Sequence, residues 1–364
     1  WKSKYPIVAF ALHFCYDKDM KIDYDMIIAG AGPTGATCAK ILAEKGYCVL
    51  VIEKCKLPRY KSCSGMIIAK TAGLVKEYFG VEIPDIVKCT PYDNYGMIFV
   101  NDEGKEYKFE QRGFNVWRSS FDYFLLSKAK ESGAEVIDGV SVIDCQNLDD
   151  YVEVTLSDKY KSVKRAKYLI DCEGAMGAIK RSLLNCKKDY VVTYQTFYEG
   201  KINLDPHYFY AYLQPAFSQY DAWFNVKDGM LVFGVAVEDI SKIKEYNDNF
   251  IRYMRDSYGL SIYNKLKEEK WIMPRIRPDF HIDYGVGRVL FAGEVAGFLN
   301  PMGEGISCGM ESGYCAAKAL VENFQDAKMV LTAYKQNSIE VKSYMQRQWN
   351  LVSLMSGKFK EMTL

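Results

Sequence analysis

The sequence predicts an α/β fold: a doubly wound, Rossmann-like domain interrupted by a smaller, mainly antiparallel β domain. Three observations predict it. Residues 24 to 53 read as strand, glycine turn, helix, strand. Two later strands, near 168–171 and 289–292, each end at an acidic and glycine-rich turn. Between them, from about Asn185 to Asp279, the composition shifts to aromatics in alternating patterns. A chain of 364 residues exceeds what one core usually supports, so division into two domains is the natural reading.

Residues 1–19 fit none of these units and are expected to be a non-native or disordered extension, with the biological start at Met20. Their apolar run from Ile7 to Phe14 is shorter than the roughly 20 residues that span a bilayer. A short interfacial anchor is the alternative. Met26 to Ala29 and Cys48 to Ile52 are apolar runs suited to buried parallel strands, joined by an Ala-rich helix from Pro33 to about Lys45 that Gly46 ends.

The turn between them is G-x-G-x-x-G. Gly30 allows the tight turn, Gly32 lets the backbone approach a diphosphate, and Gly35 lets helix and sheet pack closely. The helix start would face the diphosphate, and Pro33 and Thr34 sit in that first turn. Glu53 closes the unit, followed by Lys54; its carboxylate can accept from ribose hydroxyls and would repel a 2'-phosphate. The unit therefore predicts dinucleotide binding.

The loop that follows carries Lys56, Arg59 and Lys61, which either meet phosphate or an acidic group or form a solvated basic loop. Cys63, between Lys61 and Gly65, is a candidate accessible thiol of lowered pKa; a buried, inert cysteine is the other reading. A helix is expected from Ala69 to Tyr78 and a strand pair over 92–110 around Asn101–Gly104. Ser119 or Ser120 should cap a helix from Phe121 to Ser132, and strands should cover Val136–Ile143 and Val152–Leu156. Tyr168 to Asp171 then leads into Glu173 and Gly174 and a helix carrying Arg181.

In the aromatic region Tyr208, Tyr210 and Tyr212 share one face of a strand, either lining an apolar substrate pocket or packing as ordinary sheet. Gly229–Val237 reads as a strand and Asp248–Tyr258 as a helix. Val289 to Ala292 is a strand before Gly293 and Glu294, and a helix begins near Gly303 to Gly305, where free N–H groups would favour developing negative charge. Residues 327–364 mix apolar and basic residues at helical spacing, suited to terminal helices across the first domain or to lying on a membrane.

The domain assignment is therefore 20–90, 111–184 and 280–325 for the nucleotide-binding domain, 91–110 and 185–279 for the inserted domain, and 326–364 for C-terminal helices. Lys and Arg number 47 against 46 Asp and Glu, a net charge of +1, so nothing points to nucleic acid. Eleven cysteines without C-x-x-C spacing and three histidines make neither a metal cluster nor a disulfide framework, and a cytoplasmic location fits.

Gly30-Ala-Gly-Pro-Thr-Gly35, Arg118 with Asp122, Asp171-Cys-Glu-Gly174, and Gly293-Glu-Val-Ala-Gly-Phe-Leu-Asn-Pro-Met-Gly-Glu-Gly-Ile306 together resemble the FAD-dependent para-hydroxybenzoate hydroxylase superfamily, and within it the geranylgeranyl reductase branch. The resemblance runs from Asp25 to about Val321. It implies FAD as cofactor, with Glu53 on the adenosine ribose, Arg118 along the diphosphate and ribityl chain, and Gly303, Gly305 and Ile306 at the flavin ring.

Lys61-Ser-Cys63-Ser64-Gly65 is similar to that branch's loop beside the ring, and Tyr220-Asp-Ala-Trp223 to its substrate-cavity motif. Cys63 and Tyr220 are thus the candidate catalytic residues, and Tyr210, Trp223 and Pro301 the candidate substrate pocket. The sequence departs from the family at Glu173 and Glu294, where Asp is usual, and at Asn225-Val226 in place of Phe-Pro. The activity implied is reduction of a carbon-carbon double bond in an apolar, prenyl-like substrate. An aromatic-hydroxylating monooxygenase and a non-catalytic dinucleotide-binding sensor are the alternatives. No second G-x-G-x-x-G is present, so NAD(P)H, ferredoxin or flavodoxin could be the electron donor, and peripheral contact with the membrane's inner face stays open.

Overall fold

The computed structural model describes residues 22–187 and 189–362. The expectations for residues 1–19 and Met20 lie outside them. In chain order the elements are β1 (Tyr24–Ala29), α1 (Pro33–Glu44), β2 (Val49–Glu53), β3 (Met66–Ile67), α2 (Ala69–Phe79), β4 (Lys88–Val100), β5 (Glu106–Val116), α3 (Arg118–Glu131), β6 (Glu135–Asp138), β7 (Val142–Asn147), β8 (Val152–Leu156), β9 (Val163–Asp171) and α4 (Ala178–Leu184). Then come β10 (Tyr190–Lys201), β11 (Tyr208–Tyr212), β12 (Ala222–Lys227), β13 (Met230–Val237), α5 (Ile243–Tyr258) and β14 (Ser261–Pro274). The chain returns through β15 (Gly285–Val286), β16 (Val289–Phe291), α6 (Ile306–Asn323), α7 (Ala327–Asn337), α8 (Ile339–Met355) and α9 (Gly357–Glu361).

The first sheet has the order β15-β16-β9-β1-β2-β6, with β8 and β7 added antiparallel beyond β9. From β16 to β6 every neighbouring pair is parallel. Such strands need cover on both faces, which is why Met26, Ile27 and Ile28 are wholly buried. Helix α1 packs against α6 through small residues: a Cβ on Gly313 would stand 2.5 Å from the Thr34 carbonyl oxygen.

The second sheet runs β14-β10-β13-β12-β11-β4-β5-β3 and is antiparallel except for the β11–β4 pair. Segments far apart in sequence thus build one sheet. Strand alternation divides it sharply along β12. Ala222, Phe224 and Val226 join Phe233, Phe250 and Met254 in a core beneath α5, whereas Trp223 belongs to the core of the first layer. Asn225 and Lys227, on the Trp223 side, reach the loop at Cys63 and Ser64.

Several local expectations are corrected. Helix α3 starts at Arg118 with Trp117 at its N-cap and no side-chain cap, so Ser119 and Ser120 lie inside the first turn. Gly139, at φ +74°, breaks the expected Val136–Ile143 strand into β6 and β7. Helix α5 begins at Ile243, and α6 at Ile306. Strand β14 carries a charged run, Lys265 to Lys270, that hides its strand character; as an edge strand paired only with β10, it can keep those charges in solvent.

The C-terminal helices cover the first layer. Trp349, Met345 and Tyr334 are wholly buried, and the Tyr334 hydroxyl donates to the Phe291 carbonyl at 3.0 Å. The chain then crosses to the second sheet: the Ser356 hydroxyl and Gly357 N–H donate to the Asp102 carboxylate at 2.9 and 2.6 Å, and Lys358 Nζ donates to the Ser218 carbonyl at 3.1 Å. This C-terminal clasp joins the two layers. Among the described residues no helix is long and apolar enough to cross a membrane.

Candidate functional site

A cleft of about 470 Å³ opens where β1, β2 and β9 end, bounded on its far side by β14. At its floor, Gly35 is required by space, since a Cβ there would sit 2.0 Å from the Gly30 carbonyl oxygen. The N-terminus of α1 has no side-chain cap, leaving first-turn N–H groups for an anion. Glu53 is 3% exposed. Its Oε2 accepts from Ala31 N–H at 3.0 Å and its Oε1 from Cys55 N–H at 3.1 Å, which fixes the carboxylate at the strand end.

From Glu53 a chain of charges crosses the cleft. Arg59 Nε lies 3.4 Å from Glu53 Oε2, and Arg59 Nη1 donates to Asp122 Oδ2 at 2.8 Å. Arg118 grips the same carboxylate through Nε at 2.6 Å and Nη2 at 2.9 Å. Burial would push the Asp122 carboxyl up, but Arg118 and Arg59 together hold it below the usual carboxylate range. Arg59 Nη2 also lies 3.5 Å from where a Cβ on Gly32 would stand, so its positive charge overhangs the glycine turn.

The opposite wall is formed by Glu173, Gly174 and Glu294. Glu294 points between Gly174 and Gly305, whose Cβ positions would be 3.4 and 3.2 Å from its carboxylate oxygens, and Lys61 Nζ is 3.7 Å away. Glu173 instead accepts from Ile179 N–H at 3.0 Å, at the start of α4. Asp171, wholly buried, accepts from Glu173 N–H and Lys180 N–H; burial and the neighbouring Glu173 push its carboxyl up to about 8. The start of α6 supplies its own acceptor, since Glu304 takes Ser307 N–H and the Ser307 hydroxyl, each at 2.7 Å. The expectation that this helix start would be free for another negative charge is corrected to that extent.

Above the cleft the Cys63 loop meets the second sheet. Gly65 N–H donates to Cys63 Sγ at 3.4 Å, Asn225 Nδ2 to the Ser64 carbonyl at 3.2 Å, and Lys227 Nζ to the Cys63 carbonyl at 3.5 Å. Gly65 has φ +76°, and a Cβ on it would meet the Val116 carbonyl oxygen at 2.1 Å and Lys227 Nζ at 2.5 Å. Burial raises the Cys63 thiol, but Arg118, Lys61, Lys227 and the Gly65 N–H outweigh it and bring the group below its ordinary value.

Of the residues singled out for the cofactor, Gly30, Gly32, Pro33, Thr34, Glu53, Lys54, Arg59, Arg118, Glu173, Gly174, Glu294, Gly305 and Ile306 line this cleft. Gly35 and Gly293 stand behind them in the α1–α6 contact, and Ser64 and Gly65 lie in the Cys63 loop. Gly303 forms a turn with Asn300 near Met273, and Pro301 is buried outside the lining.

Cys63 is not among the residues that line the cleft, and three further expected residues lie away from it. Tyr210 faces the α5 core, because period-two alternation turns Tyr208, Tyr210 and Tyr212 away from the first layer. Tyr220 donates to Glu238 Oε1 at 3.1 Å and packs edge-on against Phe359, under the C-terminal clasp. Trp223 lies flat across Gly234, where any Cβ would clash with the indole at 1.9 Å. The cleft also takes residues that the sequence did not announce, above all Lys270, Trp271 and Ile272, since β14 itself was not legible.

Glycines that leave room for a diphosphate, a fixed carboxylate at the second strand end and an overhanging guanidinium fit a dinucleotide. Residues 23–231, more than half of the chain, match the family model described as FAD binding domain. The chain belongs to the FAD binding domain family. FAD is its cofactor.

This FAD-binding chain is similar in fold to a geranylgeranyl bacteriochlorophyll reductase-like protein from Thermoplasma acidophilum, at 19% identity and a TM-score of 0.77, covering 94% of this chain and 88% of that one. A flavin-dependent brominase aligns at 21% identity and a TM-score of 0.68, covering 86% of this chain and 83% of that one. An uncharacterized protein of Methanosarcina barkeri is 31% identical over 172 residues, 46% of this chain. The match spans 41% of that relative's length.

Proposed function

We propose that this FAD-dependent oxidoreductase is a reductase that saturates a carbon-carbon double bond of an apolar substrate, prenyl chains included. The carrying observation is the Cys63 loop, which leaves the cleft lining at Lys61 and is held against the second sheet by Asn225 and Lys227. FAD, when bound, supplies the reducing equivalents as a hydride. Glu53 would hold the adenosine ribose, Arg59 and the first turn of α1 would hold the diphosphate, and Arg118 would orient the chain towards the ring. Glu294, on the opposite wall, would meet the ribityl hydroxyls. Cys63 relays the proton that the reduced carbon takes up. The likeness to the reductase-like protein of Thermoplasma supports this reading, and NAD(P)H, ferredoxin or flavodoxin would provide electrons.

A second reading, oxygen-dependent modification of an aromatic substrate, draws support from the similar fold of the flavin-dependent brominase. An anaerobic spectral titration separates the two. The isolated protein should show flavin absorbance near 450 nm that a donor bleaches, and that colour should return on adding a prenyl or enoyl probe without oxygen. Return of colour only with oxygen, accompanied by a hydroxylated or halogenated aromatic product, would sink the reductase reading.

A further inference from the structure

The loop between β2 and β3 forms one rim of the FAD cleft through Arg59, Tyr60 and Lys61, and β14 forms the facing rim through Lys270, Trp271 and Ile272. The two ends of the loop are pinned to the body of the protein. Cys55 N–H donates to Glu53 and Leu57 N–H to Asp138 Oδ2 at 2.8 Å, and at the far end the Ser64 carbonyl receives Asn225. The middle of the loop is tied across to β14.

Tyr60 makes that tie. Its hydroxyl lies 2.8 and 2.7 Å from the two carboxylate oxygens of Glu269, so its one proton is shared between them. Lys267 Nζ stands 3.7 Å from the centroid of the Tyr60 ring and 2.7 Å from Glu269 Oε2. Gln195 Nε2, from β10, donates to Glu269 Oε1 at 3.1 Å. Lys267 and Gln195 thus fix Glu269 on the second sheet, and Glu269 itself stands outside the cleft lining. Arg59, the chain neighbour of Tyr60, is the guanidinium that overhangs Gly32.

We propose that the Tyr60–Glu269 contact is a strap over the mouth of the FAD cleft that governs how fast FAD enters and leaves. The rims separate at this point only when the strap breaks, and Arg59 then swings off Gly32 with the loop. Both partners belong to the protein, and Glu269 does not face the cleft, so the strap is made alike with the cleft empty and filled. Such a contact has no differential affinity to contribute; it raises the barrier in both directions and leaves the equilibrium in place. The inference rests on FAD as the cofactor and is independent of which reaction the flavin serves.

Stopped-flow flavin fluorescence tests it. Uptake of FAD by the flavin-free protein gives the association rate, and release from the loaded protein into an excess of a flavin-free scavenger protein gives the dissociation rate. Glu269→Ala and Tyr60→Phe should each speed both rates by about tenfold, the scale set by loss of a hydrogen bond to a charged group. Their ratio, the affinity, should change less than about twofold. The double variant should exchange no faster than the faster single one, because both substitutions remove the same interaction.

Unchanged rates in Glu269→Ala, or additive effects in the double variant, overturn the proposal. So does faster release with unchanged uptake, which is the signature of a side chain that binds FAD directly. If circular dichroism shows that Glu269→Ala does not fold, Tyr60→Phe and Tyr60→Ala decide. Uptake and release both faster in Tyr60→Phe, and faster again in Tyr60→Ala, which also loses the Lys267 contact, support the strap; rates unchanged in both refute it.

Discussion

Asp122 is the carboxylate shared by the buried Arg118 and the part-buried Arg59. Asp122→Asn leaves Arg59 and Arg118 without their shared anion, and the expected cost is about 3–5 kcal/mol, the usual price of orphaning one side of a buried ion pair. The pH dependence has a definite sign. The folded carboxyl is held below its ordinary value of 3.8, so below that value the unfolded chain binds more protons. The stability from Asp122 is complete above the ordinary carboxylate range and lost as pH falls through the folded pKa. Urea unfolding of wild type should show this acid loss, and Asp122→Asn should show a shallower one.

Glu53→Gln should weaken FAD binding by about tenfold or more, as loss of a hydrogen bond to a charged group costs about 1.5–3 kcal/mol. Fluorescence titration of the flavin-free protein with FAD would read it; an unchanged affinity would remove Glu53 from the ribose. Glu53 and the glycine turn were legible because the whole unit is local in sequence. Tyr210, Tyr220 and Trp223 were not placed correctly, because which face of a strand meets the cleft is decided by partners such as α5 and Gly234.

At the scale of elements, the α1–α6 contact fixes where the glycine turn stands. Gly313→Ala puts a methyl 2.5 Å from the Thr34 backbone oxygen, which cannot rotate away, and overpacking of this kind costs about 1–3 kcal/mol. Thermal unfolding should fall, and FAD should be released more readily, since Thr34 belongs to the cleft. Gly73, inside α2, would have nothing within 4 Å of an added methyl and has no positive φ; Gly73→Ala should stabilise by up to about 1 kcal/mol. Equal effects of the two substitutions would contradict this account of the helix contact. Apolar runs such as β1, β2 and β16 could be read directly, whereas β14 could not, because an edge strand tolerates a charged sequence that no periodicity rule marks.

At the scale of the molecule, the two layers are held together by the C-terminal clasp, in which Asp102 of the β4–β5 turn receives Ser356 and Gly357. Asp102→Ala should free α9 from the second sheet while leaving α8 packed. Limited proteolysis should then cut near residue 356 faster than in wild type, with little change in flavin absorbance. Cleavage at an unchanged rate would show that the Lys358–Ser218 hydrogen bond and the packing of Phe359 hold the segment without Asp102. Composition marked the aromatic stretch from Asn185 to Asp279, but the sheet's single parallel pair and the clasp were not legible, since both depend on contacts between residues far apart in the chain.

The pairing of Tyr24 with Ala166, and of Leu169 with Val289, sets a schedule for the nascent polypeptide. The opening strand leaves the ribosome long before its neighbour on that side has been made, and the last parallel strand waits for the whole inserted sheet. Contacts of such large sequence separation slow folding and leave apolar edges uncovered meanwhile, so yield on expression should depend on translation speed and chaperone supply more than on the stability of the finished protein.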